Sequence, residues 1–255
     1  MCTLSWRLSN NKYEVFFNRD EQHHRAKAIP PSYDQNTHSI YPLDPQGGGT
    51  WMSVNDSGLT LCLMNNYQAQ ANEYNKHPKK SRGQIIPELT KNSDSRDVEA
   101  QLKKMDLNGY APFLLCIFTR TSGSLKDGVP VFTWDGQNLE QSMQSQPIIS
   151  SSVSIEEVTN ERRALFEDLV LNTDTSTESH LNYHRSHRPT RGKLSVCMHR
   201  SDAATQSLSH IEVAEHIRFS YHDGSPCENA HWSNVLMPAL TVGQQEKSGS
   251  VQSFF

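Results

Sequence analysis

The feature that most constrains the fold of this chain is a cysteine directly after the first methionine, followed one hairpin later by Asn18-Arg19-Asp20-Glu21. Residues 3–8 and 13–18 are predicted to form two short strands joined by a turn at 9–11. A hairpin of this kind places the ends of both strands near each other. We therefore expect Cys2 to lie either beside Arg19 and Asp20 or one strand-length away from them.

Cys2 is a candidate nucleophile because of its position. Methionine aminopeptidase removes Met1 readily when the next residue is small, and removal would leave a thiol and a free α-amine on one residue. An α-amine has an ordinary pKa of about 7.7–8.0 and can act as a general base near neutral pH. A Thr or Cys activated by its own amine is an established nucleophile. The alternative is that Cys2 is a small structural residue at the start of a buried strand.

Composition excludes several classes of protein. The 255-residue chain has a net charge of −4 with both signs mixed, which argues against a nucleic-acid binder. It contains no apolar run of about 18 residues, so no membrane span is expected, and its start does not resemble a secretory signal. The five cysteines are widely spaced without a C-x-x-C pair, which indicates a reduced, cytoplasmic protein.

Residue patterns predict a single α+β domain over residues 1–242, because hairpins at both ends enclose helical segments. Further strands are expected at 50–54, 59–64, 111–119, 129–135, 194–199, 205–213 and 216–221. Helices are expected at 84–89, 95–105 and 155–171. The polar segments 29–46 and 172–192 are predicted to be loops, and the tail 243–255 is expected to be loosely ordered.

Five motifs in consistent order over the first third of the chain resemble the NRDE family, which includes the transport-and-Golgi-organisation proteins of animals. The motifs are Cys2, Asn18-Arg19-Asp20-Glu21, Gly48-Gly49-Thr50-Trp51, Asn66-Tyr67 and Ser81-Arg82-Gly83. That family is similar to the N-terminal-nucleophile hydrolases, particularly the cholylglycine and penicillin V amidases. The resemblance implies a four-layer αββα sandwich.

The resemblance also implies catalytic roles. Arg19 would stabilise the Cys2 thiolate and lower its pKa, and Asp20 would hydrogen-bond the Cys2 amine. Asn66, which follows the hairpin Val54-Asn55-Asp56-Ser57-Gly58-Leu59, would donate its side-chain N–H to an oxyanion. Losing such a donor costs about 2.7–4 kcal/mol in other enzymes. The alternative is that Arg19 and Asp20 form a partly buried ion pair that closes the hairpin.

Four other members of these motifs are candidate ligand-binding residues, and the later part of the chain departs from the family pattern. The candidates are Asn18, Glu21, Trp51 and Tyr67. Where relatives carry an asparagine this chain has Ile149-Ser150-Ser151-Ser152, and Ala204-Thr205-Gln206-Ser207 lacks the late arginine of the family. Arg200 is the candidate substitute for that arginine.

Histidine is abundant, with 12 residues, but no H-E-x-x-H occurs and no metal site is predicted. On the predicted strand 194–199, Cys197 and His199 would share one face. Cys, Met and His can all ligate haem, so Cys197-Met198-His199 is a candidate haem contact. The alternative is a buried strand followed by surface histidines.

Two hypotheses about function follow. The first is a cysteine amidohydrolase or acyl-transfer enzyme that acts on C–N bonds of a small molecule and requires no cofactor. The second, which the resemblance to the NRDE family implies, is a non-catalytic cytoplasmic protein for haem trafficking or for lipid and acyl-CoA handling, which uses the same cavity. Amidases of this fold are often multimeric, so a homo-oligomer is a candidate assembly.

Overall fold

Two antiparallel β-sheets form the centre of the molecule in this computed structural model, which describes residues 2–9, 12–70, 80–120, 128–228 and 231–240. The strands are β1 (Cys2–Ser9), β2 (Lys12–Gln22), β3 (Ile29–Asp34), β4 (Ser39–Leu43), β5 (Met52–Asn55), β6 (Thr60–Asn65), β7 (Phe113–Phe118), β8 (Val129–Trp134), β9 (Leu139–Gln144), β10 (Ile148–Ser150), β11 (Ala203–Val213), β12 (His216–Asp223) and β13 (Trp232–Pro238). The α-helices are α1 (Tyr67–Gln70), α2 (Ile85–Leu89), α3 (Ser95–Leu102), α4 (Ile155–Phe166) and α5 (Thr177–Arg185). A 3₁₀ turn (Arg82–Gln84) precedes α2, and a π-helical turn (Glu167–Leu171) follows α4.

The sheets are sandwiched between helices. The first sheet has the strand order β10-β1-β2-β11-β12-β13, and the second has the order β3-β4-β5-β6-β7-β8-β9. An apolar core that includes Leu4, Phe17, Met64 and Phe118 fills the space between them. Helices α2 and α3 cover the outer face of the second sheet, and α4 and α5 cover that of the first. The predicted αββα architecture is confirmed.

The hairpin of β1 and β2 sorts its side chains by the alternation of strand faces. Leu4 lies opposite Phe17 in the register, and both side chains are in the core between the sheets. The intervening residues face the helical layer: Ser5 bonds to histidines of α5, and Asn18 donates to the carbonyl oxygens of His184 and Val196 at 2.9 and 3.1 Å. The predicted first hairpin is therefore correct.

Three predicted segments differ from the structure. The expected loop 29–46 contains β3 and β4, which form the edge of the second sheet. The expected loop 172–192 contains α5, whose buried face is made of His180, Tyr183 and His184. Residues 194–199 are not a strand, and only the bridge between His199 and Ala204 remains of the predicted pairing. The tail 243–255 lies outside the described residues.

Polar aromatic side chains explain why α5 was missed. A periodicity of apolar residues is absent there, but His180, Tyr183 and His184 recur at the helical spacing and are buried. Ser176 caps the helix by accepting a hydrogen bond from Ser179 N at 3.1 Å. No helix in the described part of the chain is both long and apolar enough to cross a membrane.

The contact between α5 and the first sheet depends on neutral histidines. Ser5 Oγ lies 2.9 Å from both His180 Nδ1 and His184 Nε2, and Phe16 stacks on His180 with ring centres 4.8 Å apart. Burial lowers the pKa of His180 to about 4, an effect that Glu14 opposes and Arg7 reinforces. Burial also lowers the pKa of His184 well below its ordinary value.

We expect the free energy of unfolding to decrease as the pH falls from about 6.5 towards 4. In this range the unfolded chain protonates both histidines while the folded chain does not, so acid favours unfolding. For His180 the loss by pH 5 should be on the order of 2 kcal/mol. The pKa of Glu14 is lowered to about 2, so its effect belongs to more acidic solutions.

Urea unfolding at pH 7 and pH 5 measures this dependence. A variant with both His180→Gln and His184→Gln should lose most of the difference between the two pH values. The control His216→Gln alters an exposed histidine and should keep the wild-type difference. An unchanged difference in the double variant would contradict the assignment.

Candidate functional site

A cavity of about 570 Å³ opens where β1 begins, and both sheets contribute to its wall. Its lining includes Cys2, Arg19, Asp20, Glu21, Trp51, Asn65, Tyr67, Arg82, Met198 and Arg200. Most of the residues singled out in the sequence therefore meet at one place.

Cys2 is held on both sides by neighbouring strands. In the register of β1 and β2 it lies opposite Arg19, and in that of β1 and β10 it lies opposite Ser150. Directly opposite residues of antiparallel strands project from the same face. Of the two arrangements left open by the sequence, the structure has the one in which Cys2 is beside Arg19.

Arg19 is fixed within the cavity wall. It is only 6% exposed, its guanidinium lies 4.5 Å from the centre of the Trp51 ring, and Nη2 is 3.2 Å from Glu21 Oε2. Glu21 Oε2 also lies 3.5 Å from Arg25 Nε. A cation stacked on an aromatic ring and paired with a carboxylate has little freedom to move.

Burial raises the pKa of the Cys2 thiol above its ordinary value. The Arg19 guanidinium and a hydrogen bond from the backbone N–H of Asp20 lower it, but they do not outweigh burial. The expected effect of Arg19 thus has the predicted direction but is not sufficient to produce a thiolate. Any nucleophilic reaction of Cys2 needs a base to remove the proton.

Asp20 joins three elements through its carboxylate. Its side chain is fully buried, Oδ1 accepts a hydrogen bond from Thr205 Oγ1 at 2.6 Å, and Oδ2 lies 3.6 Å from Nη1 of the equally buried Arg162. Thr205 Oγ1 in turn accepts from Met198 N at 2.8 Å. The carboxylate therefore connects β2 with β11, with α4 and with the segment that carries Met198.

Asn65, rather than the predicted Asn66, lines the cavity that contains Cys2. Asn65 Nδ2 donates to Tyr67 Oη at 2.7 Å, and the backbone oxygen of Asn65 accepts from Ser150 Oγ at 2.6 Å. Asn66 lines a neighbouring cavity, and its Nδ2 lies 3.4 Å from the carbonyl oxygen of Trp134. Of these two adjacent asparagines, only Asn65 therefore lines the cavity that contains Cys2.

Two glycine-containing motifs meet at the rim of the cavity. Thr50 N donates to Gly83 O at 3.0 Å, and a Cβ built on Gly49 would lie 2.3 Å from the carbonyl carbon of Gly83. Any side chain at Gly49 would therefore collide with backbone. The close approach brings Gly48-Gly49-Thr50-Trp51 and Ser81-Arg82-Gly83 to the same wall and places Trp51 under Arg19.

The remaining candidate residues have different positions. Asn18 is fully buried and faces the helical layer rather than the cavity. Arg200 lines the cavity and pairs with Asp202, with Nη2 2.6 Å from Oδ2. His199 is not among the residues that line the cavity.

His199 belongs instead to a group of four side chains that could hold a metal ion: His187, Cys197, His199 and Cys227. Sequence spacing did not reveal this group because its members come from three separate segments. The signal that was present, Cys197-x-His199, lacked a visible partner, and Cys227 supplies one. Apart from this group, the described part of the chain has no cluster of three or more His, Cys, Asp or Glu residues that could hold a metal ion.

Substitution of Arg162 should strongly destabilise the fold. Arg162→Met leaves the buried Asp20 carboxylate without its cation, and a broken buried pair typically costs about 3–5 kcal/mol. The exposed neighbour Arg163 gives the control Arg163→Met, which should change stability by about 0.5 kcal/mol or less. Denaturant midpoints measure both, and combining Arg162→Met with Asp20→Asn should recover part of the loss. Equal midpoints for Arg162→Met and Arg163→Met would contradict this role.

Two solved structures share the fold of this chain. The "mutant C2A" conjugated bile acid hydrolase from Clostridium perfringens matches with a TM-score of 0.55 and 11% identity, over 93% of this chain and 92% of that one. The Caenorhabditis elegans orthologue of N-acylethanolamine-hydrolyzing acid amidase matches with a TM-score of 0.52 and 11% identity, over 93% and 100%. At this identity the likeness shows the fold, which is that of the N-terminal-nucleophile hydrolases.

No curated protein matches the chain. The family model described as Transport and Golgi organisation 2 matches residues 1–221, in agreement with the resemblance of the N-terminal motifs. The chain therefore belongs to the Transport and Golgi organisation 2 family.

Proposed function

We propose that this protein is an amidase-like cysteine hydrolase or acyl-transfer enzyme, which uses Cys2 after removal of Met1 to cleave C–N bonds. The observation that carries this proposal is the position of Cys2 in the cavity, held in register between Arg19 and Ser150. The fold adds support, since both structural neighbours are described as hydrolases or amidases.

The chemistry begins with a protonated thiol. Because burial raises the pKa of Cys2, the α-amine released by Met1 removal must accept the thiol proton. The sulfur then attacks the substrate carbonyl carbon, and a tetrahedral oxyanion forms. The amine returns the proton to the leaving nitrogen as the C–N bond breaks, which gives a thioester. Water, deprotonated by the same amine, hydrolyses that thioester, or another nucleophile takes the acyl group.

The oxyanion would be stabilised by donors that are already oriented. The Asn65 amide has two N–H groups, and its bond to Tyr67 Oη uses one, which leaves the other for a substrate oxygen. The backbone N–H of Asp20 already hydrogen-bonds the Cys2 sulfur and lies beside the reacting atom. We infer that Asn65 takes the role that the sequence suggested for Asn66.

The second candidate function is non-catalytic binding of haem or an acyl lipid in the same cavity. The raised pKa of Cys2 favours it, because a thiol without a base is a poor nucleophile. Serines stand at 150–152 where an amidase would provide another amide donor. His199 would not contact a haem in this cavity directly, although its neighbour Met198 lines the wall.

Intact-mass measurement of the purified chain tests the first requirement of the enzyme. We expect the mass of the sequence without Met1, because only that form has the Cys2 amine. Iodoacetamide should then label Cys2 faster as the pH rises through the pKa of the amine. A chain that keeps Met1 would exclude this mechanism.

Substitution of the two adjacent asparagines tests the oxyanion site. On a panel of N-acyl p-nitroanilides and N-acyl amino acids, Cys2→Ala should abolish turnover, and Asn65→Ala should lower kcat by about 10²–10³-fold. The matched control Asn66→Ala should keep kcat near that of the wild type. Equal losses at both positions would overturn the assignment of Asn65. Absence of turnover in a chain that has lost Met1 would favour the binding function.

A further inference from the structure

Four potential metal ligands from three separate segments converge beside the cavity. His187 follows the end of α5, Cys197 and His199 precede β11, and Cys227 lies in the turn after β12. One ligand atom from each residue lies within 4.8 Å of all the others. We propose that these two histidines and two cysteines bind one zinc ion.

The distances within this group, the four-ligand cluster, resemble those of a tetrahedral site. His199 Nε2 lies 3.5 Å from Cys197 Sγ and 3.4 Å from Cys227 Sγ. Zinc–sulfur bonds of about 2.3 Å and zinc–nitrogen bonds of about 2.0–2.1 Å at tetrahedral angles give a sulfur–nitrogen separation of about 3.6 Å. The rings of His187 and His199 are 5.1 Å apart and steeply inclined, at 68°. Small side-chain rotations would shorten the longest separation between ligand atoms, which is at most 4.8 Å, to that of a tetrahedral site.

One unsatisfied ligand atom within the cluster points to an ion. Nε2 of His187 is buried and has no hydrogen-bond partner among the described residues. Cys197 and Cys227 are both free thiols, although each has a sulfur beside the other and beside an imidazole. Buried polar atoms normally have partners, and a bound cation would satisfy all four ligands at once.

The donor set selects the kind of ion. Two thiolates and two imidazoles in a tetrahedron are typical of structural zinc sites, whereas calcium and magnesium prefer oxygen ligands. Four protein ligands complete the coordination and leave no open position for a reacting water. The zinc would therefore be structural.

Binding requires a change of protonation that the cluster can make. Both thiols lose their protons to solvent as the two zinc–sulfur bonds form. Burial raises the pKa of Cys197 above its ordinary value, so the ion must compensate for that cost. A neutral imidazole binds zinc through the lone pair of one ring nitrogen and loses no proton when the zinc–nitrogen bond forms.

One existing contact must be released. Arg191 Nη2 lies 3.2 Å from His199 Nδ1, which makes that nitrogen an acceptor. When Nε2 binds zinc, Nδ1 of a neutral imidazole carries the proton and can no longer accept. Arg191 is exposed and can turn to solvent.

The location of the cluster gives the ion a structural consequence. Met198 stands between two ligands, lines the Cys2 cavity, and donates its backbone N–H to Thr205, which bonds to Asp20. Zinc would fix residues 197–199, a segment that has almost no strand pairing of its own. The ion would thereby hold one wall of the cavity without taking part in its chemistry.

Metal analysis of the full chain tests the proposal. Protein expressed with zinc and freed of unbound metal should contain about one zinc per chain by mass spectrometry. Apo protein titrated with Co²⁺ should develop intense visible bands of tetrahedral cobalt and a near-ultraviolet thiolate charge-transfer band. Cys197→Ser and Cys227→Ser should each weaken zinc binding more than about a hundredfold. The controls Cys2→Ser and His216→Gln should bind as the wild type does.

A second measurement keeps the test independent of variants that fail to fold. Chelation of the wild-type chain should remove the zinc and lower its melting temperature, and added zinc should restore it. Four results would overturn the proposal. The first is absence of zinc together with absence of the cobalt charge-transfer band. The second is retention of zinc by a variant in which both cysteines are replaced. The others are a Cys197–Cys227 disulfide in freshly isolated protein, and a Soret band of isolated protein that is lost in His199→Ala.

Discussion

The structure depends on one buried charge pair, the Asp20 carboxylate and the Arg162 guanidinium, whose side chains are both fully buried. Removing two ions from water is expensive, and the cost is offset only by good geometry and additional hydrogen bonds. Thr205 supplies one such bond to Asp20, and Arg162 also donates to Thr3 Oγ1 and to the carbonyl oxygen of Leu194. These bonds tie the central strands of the first sheet to α4. Because Asp20 follows Arg19, the same pair fixes the direction in which Arg19 and Cys2 project.

The adjacent residues Arg19 and Asp20 have different electrostatic roles in the site. Asp20 pairs with Arg162 of the helical layer and stabilises the frame, whereas Arg19 faces Cys2 across the two strands. The family resemblance implied that Arg19 acts on the Cys2 thiol and that Asp20 acts on the Cys2 amine. In the structure the dominant influence on Cys2 is burial, which raises its pKa. A cavity of this kind keeps the nucleophile neutral until a base is present, which makes the N-terminal amine the decisive group of the proposed mechanism.

Local patterns in the sequence predicted what depends on neighbours along the chain. The first hairpin, the hairpin around Gly58 and the helices α2 to α4 were predicted from strand alternation, turn residues and helical patterns, and all of them occur in the structure. That Asn65 rather than Asn66 lines the cavity could not be predicted, because the boundaries of elements predicted from a sequence are uncertain by about 2–4 residues. Helix α5 was missed because its buried face consists of histidine and tyrosine. The four-ligand cluster was missed because its members are brought together only by the packing of α5, β11 and β12.

In the proposed mechanism Cys2 becomes the first residue of the chain, which raises a difficulty because terminal residues of most domains fray unless they are tied down. A catalytic group must stay in one place, because a displacement of about 1 Å can cost a hundredfold in rate. Here β1 is an inner strand, and Cys2 has a register partner on each side, Arg19 in β2 and Ser150 in β10. The hydrogen-bonded ladders of both neighbours therefore order the terminus when the sheet folds. Ser150 then extends this order across the sandwich, because its hydroxyl donates to the backbone of Asn65 in the second sheet. Cys2 and its proposed oxyanion donor Asn65 are thus connected through a single serine.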